Sequence, residues 1–347
     1  MTASPGSVAA APEATRNVNL SQAIAEGLRL EMEADPSVLV LGEDVGNQGG
    51  VFGATRGLLK NFGPERVLDT PISEMAFTGM AVGLALEGYR PVVEIMFVDF
   101  IGVCLEQVYN AMGKIPYMSG GRVRMPVVVK TAGGSIGAAA QHSQTLWGLF
   151  AHLPGLRVVA PSNPYDSKGM IAAAVRSDDP VVFIEHKGLL LQRASEFAFG
   201  AHVPRERYDV PIDRAAIVRP GSDLTLVTLS GTVRHAVSAA AAADERGISV
   251  EVIDVRSIVP LDWATVCESV SRTRSLLVVD EDYLGFGLSG ELAMGVIERV
   301  GIGALDRIGR HGNPGVPVPA ALTLERAIVP GPESILDSIL RMAGGAQ

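Results

Sequence analysis

Cysteine is nearly absent. The two in 347 residues, Cys104 and Cys267, both sit in apolar helical contexts. That excludes a disulfide framework and points to a reducing, cytoplasmic setting. Basic charge is in deficit: 29 Lys and Arg stand against 38 Asp and Glu, a formal net charge of −9. Nucleic acid is thereby excluded as a main partner, because neutralising phosphates needs a basic excess. The Lys and Arg residues present are scattered and read as solvated. No apolar run is long enough to span a bilayer. Residues 1–16, MTASPGSVAAAPEATR, lack the basic start and apolar block of a secretory signal and read as a disordered tail. P-loop, HExxH, paired CxxC and EF-hand patterns are all missing.

What the chain does have is apolar substance. Hydrophobic residues make up 47% and charged residues 19%, enough for a large core. At about 150 residues per domain, the length suggests two domains. Short β-rich runs at Val38–Leu41, Pro91–Ile95, Pro126–Lys130, Leu156–Ala160 and Val181–Glu185 read as strands. Helical patterns fall between them at Leu20–Ala34, Ser73–Glu87, Phe100–Met112 and Pro164–Ser177. The periodicity fades from Arg193 to Ser222, a connector with room for one short strand. It resumes with strands at Leu224–Leu229, Val250–Val255 and Leu276–Asp280 and helices at Thr232–Arg246, Asp262–Thr273, Ser289–Val300 and Glu333–Met342. Such alternation predicts an α/β fold of two parallel-sheet domains, 17–200 and 201–347.

Three motifs invite a function. Gly285-Phe-Gly287-Leu-Ser-Gly290 matches a dinucleotide fingerprint in form. However, Asp280-Glu-Asp-Tyr-Leu separates it from its strand, and no acidic residue closes a following strand, so a Gly-rich strand-to-helix turn is the better reading. Gly133-Gly-Ser135-Ile-Gly137 follows a strand as a hydrolase elbow would, with Asp254 or Asp280 and then His311 in the required order. No HGGG-like oxyanion segment precedes it. Ala138-Ala-Ala-Gln-His142-Ser143-Gln144 brings a small-residue approach to a polar cluster. Either His142 is functional, or Ser143 simply caps a helix.

Glu74 poses a sharper question. In DTPISEMAFTGMAVGLALEG, residues 69–88, it heads a run with almost no polar face. Pro71 suits the first helical position, and Glu74 in the first turn would interact well with the helix dipole. Yet the following helix reads as buried on nearly all sides. A carboxyl at its mouth would then be partly desolvated and able to hold a proton.

Leu41-Gly-Glu-Asp-Val45, Asp69-Thr-Pro-Ile-Ser-Glu74, Glu94-Ile-Met-Phe-Val-Asp-Phe100, Tyr117-Met-Ser-Gly-Gly121 and Ala139-Ala-Gln-His-Ser143 appear in order. Pro154-Gly-Leu156 and Asp179-Pro-Val181 come after them. In sequence and spacing the chain resembles, from Asn17 to Met342, the β subunits of thiamine-diphosphate-dependent 2-oxo acid and acetoin dehydrogenases, members of the transketolase superfamily. The resemblance implies a pyrimidine-type thiamine-diphosphate-binding domain followed by a transketolase C-terminal-type domain. It implies that Glu74 bonds the aminopyrimidine ring and favours its imino tautomer. Phe100 would pack on the ring face, with Glu43, Phe97 and Gln107 beside it. His142 would stand near the reactive carbon and assist acyl transfer to lipoamide.

The same resemblance implies that this chain holds half a site. An α subunit, in an α2β2 tetramer, would bind the diphosphate and Mg²⁺ through a G-D-G motif that this chain lacks. A lipoyl acyltransferase core is a further implied partner. A K⁺ ion would be held by carbonyls of Val127, Ala174, Val175, Ser177 and Asp179, although Ser177 replaces the usual Asp. Met96–Phe100 and Glu185-His186-Lys187 look closer to the acetoin enzymes than to the pyruvate or branched-chain ones. The implied activity is oxidoreduction at an oxo group with a disulfide acceptor. A Ser135 hydrolase and a non-catalytic scaffold are the alternatives.

Overall fold

Val- and Ile-rich strands separated by amphipathic helices pack with the strands side by side and helices over both faces. The computed structural model describes residues 16–199 and 202–344 and forms two such layers. The tail expected over residues 1–16 lies outside the described residues except for Arg16, which ion-pairs with Glu26 at 2.5 Å.

The first sheet contains β1 (Val38–Gly42), β2 (Val67–Asp69), β3 (Arg90–Ile95), β4 (Val128–Gly133), β5 (Arg157–Val159) and β6 (Val181–His186). The second contains β7 (Ala216–Arg219), β8 (Leu224–Thr228) and β9 (Val250–Asp254). The chain then returns to the first sheet as β10 (Ser257–Val259) before β11 (Ser275–Tyr283) and β12 (Arg307–Asn313) complete the second. The strand orders are β10-β5-β6-β4-β3-β1-β2 and β12-β11-β8-β9-β7. Among the strand pairs of the described residues, the edge pairs β10–β5 and β7–β9 are antiparallel and the rest parallel. The carboxyl ends of β1, β2, β3, β4 and β6 therefore share one rim, where α/β sheets place their ligands.

Several elements differ from the sequence expectation. β4 starts two residues later than expected, at Val128, and runs on to Gly133. β2 and β10 are three residues each, too short to show a period. β12 carries no apolar run but pairs along β11 from Ser275↔Arg307 to Val279↔His311. The helix expected over 100–112 is a 3₁₀ turn at Val98–Phe100, an α-helix at Ile101–Glu106, a π-helical turn at Gln107–Met112 and a further α-helix at Gly113–Met118. No helix begins at Ser143; the chain turns there and becomes helical only at Trp147–Ala151.

One hydrophobic cluster runs through both sheets, joining Val182 and Ile184 to Val227, Ile253 and Leu276. Polar ties cross the same seam. Ser162 donates to Asp254 at 2.5 Å, and Arg256 donates to Asp166 at 2.9 Å. Basic residues are not all solvated either. Lys130 is wholly buried in the centre of the first sheet and donates to Glu94 on β3 (2.9 Å) and Glu185 on β6 (2.8 Å). The two carboxylates hold its ammonium above the ordinary range despite burial, and burial in turn pushes Glu185 up.

Candidate active site

The site is built from the segments that leave the strands at this rim. After β1 comes Glu43. After β2, Asp69 accepts from the Gly46 amide (2.6 Å) and from Asn47, which ties the two loops together. The helix Glu74–Leu86 is next. Pro71 is not its first residue; Glu74 is, and the Ser73 side chain makes no cap and donates instead to the Pro71 carbonyl. Glu74 thus sits at the amino end of the helix, half-buried, beside Glu43. Burial, followed by the charges of Glu74 and Asp44, raises the Glu43 carboxyl above the usual range. Glu43 Oε1 is buried and has no partner among the described residues.

The helix is not buried all round. Phe77, Thr78, Ala81, Val82 and Ala85 face the core, while Met75, Met80 and Leu86 are exposed. Gln107, the first residue of the π turn, donates to Met75 Sδ at 3.5 Å and lies over Gly79. The Cys104 thiol lies near the same helix; burial raises it, a Thr78 bond lowers it and the Glu74 charge raises it.

After β3 come Phe97 and Phe100, and after β4 a loop carries His142. The three rings meet edge to face: Phe97–Phe100 at 5.4 Å, Phe97–His142 at 5.2 Å and Phe100–His142 at 5.6 Å. Such pairs contribute roughly 0.5–1.5 kcal/mol each beyond burial. Phe52 adds a fourth ring against Phe97 at 5.7 Å. Strand order places the Glu43/Glu74 pair and this ring cluster on neighbouring stretches of one rim.

The loop from Gly134 to Gln144 is fastened along its length. The Gly134 amide donates to the Gln144 carbonyl at 2.8 Å, and Gln144 donates twice to Asp99 Oδ1. The Ser135 amide donates to Glu281 at 2.6 Å and the Gly137 amide to Glu325 at 2.8 Å. Lys187 Nζ donates to the His142 carbonyl and lies 5.1 Å from the Phe97 ring centre. Burial draws the Lys187 ammonium down to about 8, against the upward pull of Asp99, Glu281 and Glu325. His186 Nδ1 accepts from the Gly188 amide, so Nε2 carries the hydrogen facing Glu281 at 2.7 Å. Burial would raise Glu281, but His186 and Ser135 outweigh it and hold the carboxyl low.

The hydrolase constellation does not assemble. Ser135 Oγ donates to the Ser143 carbonyl at 3.3 Å, His311 pairs with Ser334, Asp254 with Ser162 and Asp280 with Trp147. The Gly285–Gly290 motif is a bend that runs into the first turn of the helix Leu288–Val300, and a Cβ on Gly287 would lie 2.0 Å from the Tyr283 carbonyl. Among the carbonyls expected to hold K⁺, those of Val175 and Ser177 accept from the Arg90 guanidinium at 3.0 Å each. Those of Val127, Ala174 and Asp179 accept from Val181, Ser177 and the Ser177 hydroxyl. The Arg90 guanidinium thus reaches this loop, and each of the five carbonyls accepts a hydrogen bond.

Asp99, Glu281 and Glu325 were not singled out from sequence. A signal existed for Glu281: Asp280-Glu-Asp at the carboxyl end of an apolar strand is where α/β folds put functional polar groups.

The chain matches the family model for the transketolase pyrimidine binding domain over residues 16–192 and that for the transketolase C-terminal domain over 213–335. It is 41% identical to the acetoin:2,6-dichlorophenolindophenol oxidoreductase subunit beta of Bacillus subtilis (strain 168), covering 95% of this chain and 98% of that one. It is 40% identical to a mitochondrial pyruvate dehydrogenase E1 component subunit beta-2 of Oryza sativa subsp. japonica, covering 95% and 86%. A solved split gene transketolase, an inactive beta4 tetramer, shares the fold with a TM-score of 0.75 at 19% identity, over 96% of this chain and 100% of that one.

Proposed function

We propose that this chain, which belongs to the family of β subunits of 2-oxo acid and acetoin dehydrogenases, supplies the pyrimidine half of a thiamine-diphosphate site. The observation that carries the reading is the Glu43/Glu74 pair, in which Glu43 Oε1 is buried with no partner among the described residues. An orphaned buried acceptor costs about 1–3 kcal/mol, and a ring donor offered by a ligand would relieve it. The rings of Phe97 and Phe100 offer an apolar face on the neighbouring stretch of the rim, so the residues fit the cofactor.

Glu74 would hold a ring nitrogen and share a proton with it, with Glu43 keeping the local negative charge low. Phe100 would cover the ring, and Phe97 and Gln107 would border it. When bound, thiamine diphosphate supplies an electron sink for cleavage next to a carbonyl. His142 would orient the substrate and move a proton as the acyl unit passes to lipoamide on an acyltransferase partner. An α subunit would complete the site with Mg²⁺ and the diphosphate-binding motif in an α2β2 assembly. The exposed apolar face of the helix Glu74–Leu86 supports a partner of that kind.

Acetoin is the substrate proposed first, on Met96–Phe100 and Glu185-His186-Lys187, with pyruvate and branched-chain 2-oxo acids next. The test is turnover of the chain co-expressed with an α-type partner on all three substrates, with a dye acceptor. The reading expects turnover by the pair and none by the lone chain. Full activity without a partner would refute it.

A further inference from the structure

We propose that Lys187 is a positioning residue for His142, acting by holding the loop Gly134–Gln144 against the ring cluster. The inference rests on the proposed role of His142 in the reaction. Lys187 follows β6 directly, and its side chain is almost fully buried. Its ammonium makes two contacts that bear on His142. It donates to the His142 carbonyl, and it lies against the face of Phe97, the ring on which His142 packs. Backbone and ring of the histidine are thus referred to one cation.

The groups facing that cation form a closed set. Asp99 arrives from the segment after β3, Glu281 from β11 and Glu325 from the helix Leu322–Ile328. Each of these carboxylates also accepts from the histidine loop, at Gln144, Ser135 and Gly137 respectively. The second half of the chain therefore reaches into the first and fixes the loop at two points, while Lys187 supplies the counter-charge between them. A buried ammonium bonded to the His142 carbonyl, in the field of three carboxylates that themselves hold the loop amides, sets geometry, and a displacement of about 1 Å at a reacting group can cost roughly 100-fold in rate. Lys187 reaches the site through His142 and Phe97 and is given no contact with substrate.

The test is a double-mutant cycle in the assembled complex with the α-type partner, using Lys187→Met, His142→Ala and the double variant. Two readouts are measured: exchange of the cofactor's C2 proton, which depends on Glu74, and turnover, which depends on His142. Lys187→Met is expected to keep exchange within about threefold and to lower kcat roughly 10- to 100-fold. The double variant is expected to be no slower than His142→Ala alone, because contacting residues that act through one another do not add. Losses that multiply, or a Lys187→Met enzyme with wild-type turnover, would overturn the proposal.

Lys187→Arg keeps both donor and charge and covers the case in which the methionine variant does not assemble. It is expected to turn over within about threefold of wild type and to hold its rate above pH 8, where wild type declines. Coincident pH profiles for the two would also overturn the proposal. If His142→Ala itself costs nothing, the reading of the site fails, whatever Lys187→Met does. If His142→Ala is slow and Lys187→Met is not, only the positioning role fails.

Discussion

The two sides of the rim differ in how far this chain completes them. On the His142 side the loop amides of Ser135, Gly137 and Gln144 all have protein acceptors, and the acceptors come from both halves of the chain. On the Glu74 side Glu43 Oε1 is buried without a donor among the described residues, and the adjoining helix turns Met75, Met80 and Leu86 outward. The first side has its loop amides tied internally, although Asp99 Oδ2 and Ser143 Oγ are buried there without a partner among the described residues. The second has unmet polar and apolar demand at the same place, which is what half of a shared site presents. A chain can leave an interface and a ligand wall unfinished together only if one assembly event satisfies both.

The strongest way to break this contrast is to remove the acid on the open side. Glu74→Gln, assembled with its partner, is expected to lower C2-proton exchange by roughly 10²–10⁴, the usual worth of a positioned proton-transfer group. Proton NMR of the bound cofactor in deuterated buffer measures it, and retained exchange would remove Glu74 from the reaction. Next in size is the closed interior beneath both sides. Lys130→Met leaves Glu94 and Glu185 buried without their ammonium. Breaking a buried pair in this way costs about 3–5 kcal/mol. A urea midpoint within error of wild type would show that the triad is not the brace it is taken for.

The closed side was harder to read from sequence than the open one, for a physical reason. Glu74, Phe100 and His142 stand in local patterns that stand out against their neighbours. Glu281, Glu325 and Asp99 matter because distant elements bring them to one loop, and no local period records that. Likewise β1, β3 and β6 announce themselves by short Val-rich apolar runs, whereas β12 pairs only because β11 offers it an edge. The exposed face of the helix Glu74–Leu86 escaped for a further reason: apolar residues give the same pattern whether their cover comes from this chain or from another.

The seam between the sheets offers a third test, through pH. Burial and the neighbouring charge of Asp166 raise Asp254 from its ordinary value of 3.8 to about 7, although Ser162 and Arg256 pull the other way. The folded chain therefore keeps a proton that the unfolded chain has lost. That contribution to stability is full below pH 3.8 and is lost as pH rises to about 7. Asp254→Asn, which removes the titration, should gain on wild type across that window by on the order of 4 kcal/mol and then run parallel to it. Urea midpoints taken at intervals of pH measure the gap. A gap of constant size would mean that Asp254 is ionised throughout and that the seam tolerates its charge.

The smallest expected effect bears most directly on the contrast between the two sides. Met80 stands on the outward face of the helix Glu74–Leu86 at 40% exposure, with Leu86 at 47% and Ile72 at 84%. If that face is finished by a partner, Met80→Asp leaves the fold of the lone chain as it is, because the side chain already meets water. It would place an unpaired carboxylate in the joint, whereas Met80→Leu would preserve it. Burying the exposed part of one such side chain is worth about 1–2 kcal/mol, so association should weaken roughly tenfold. Sedimentation of the mixed subunits over a concentration series reads this out, and the thermal midpoint of the isolated chain serves as the control. Unchanged association with Met80→Asp would put the joint elsewhere, and the open side of the rim would then need another explanation for both its apolar helix face and its unpaired acid.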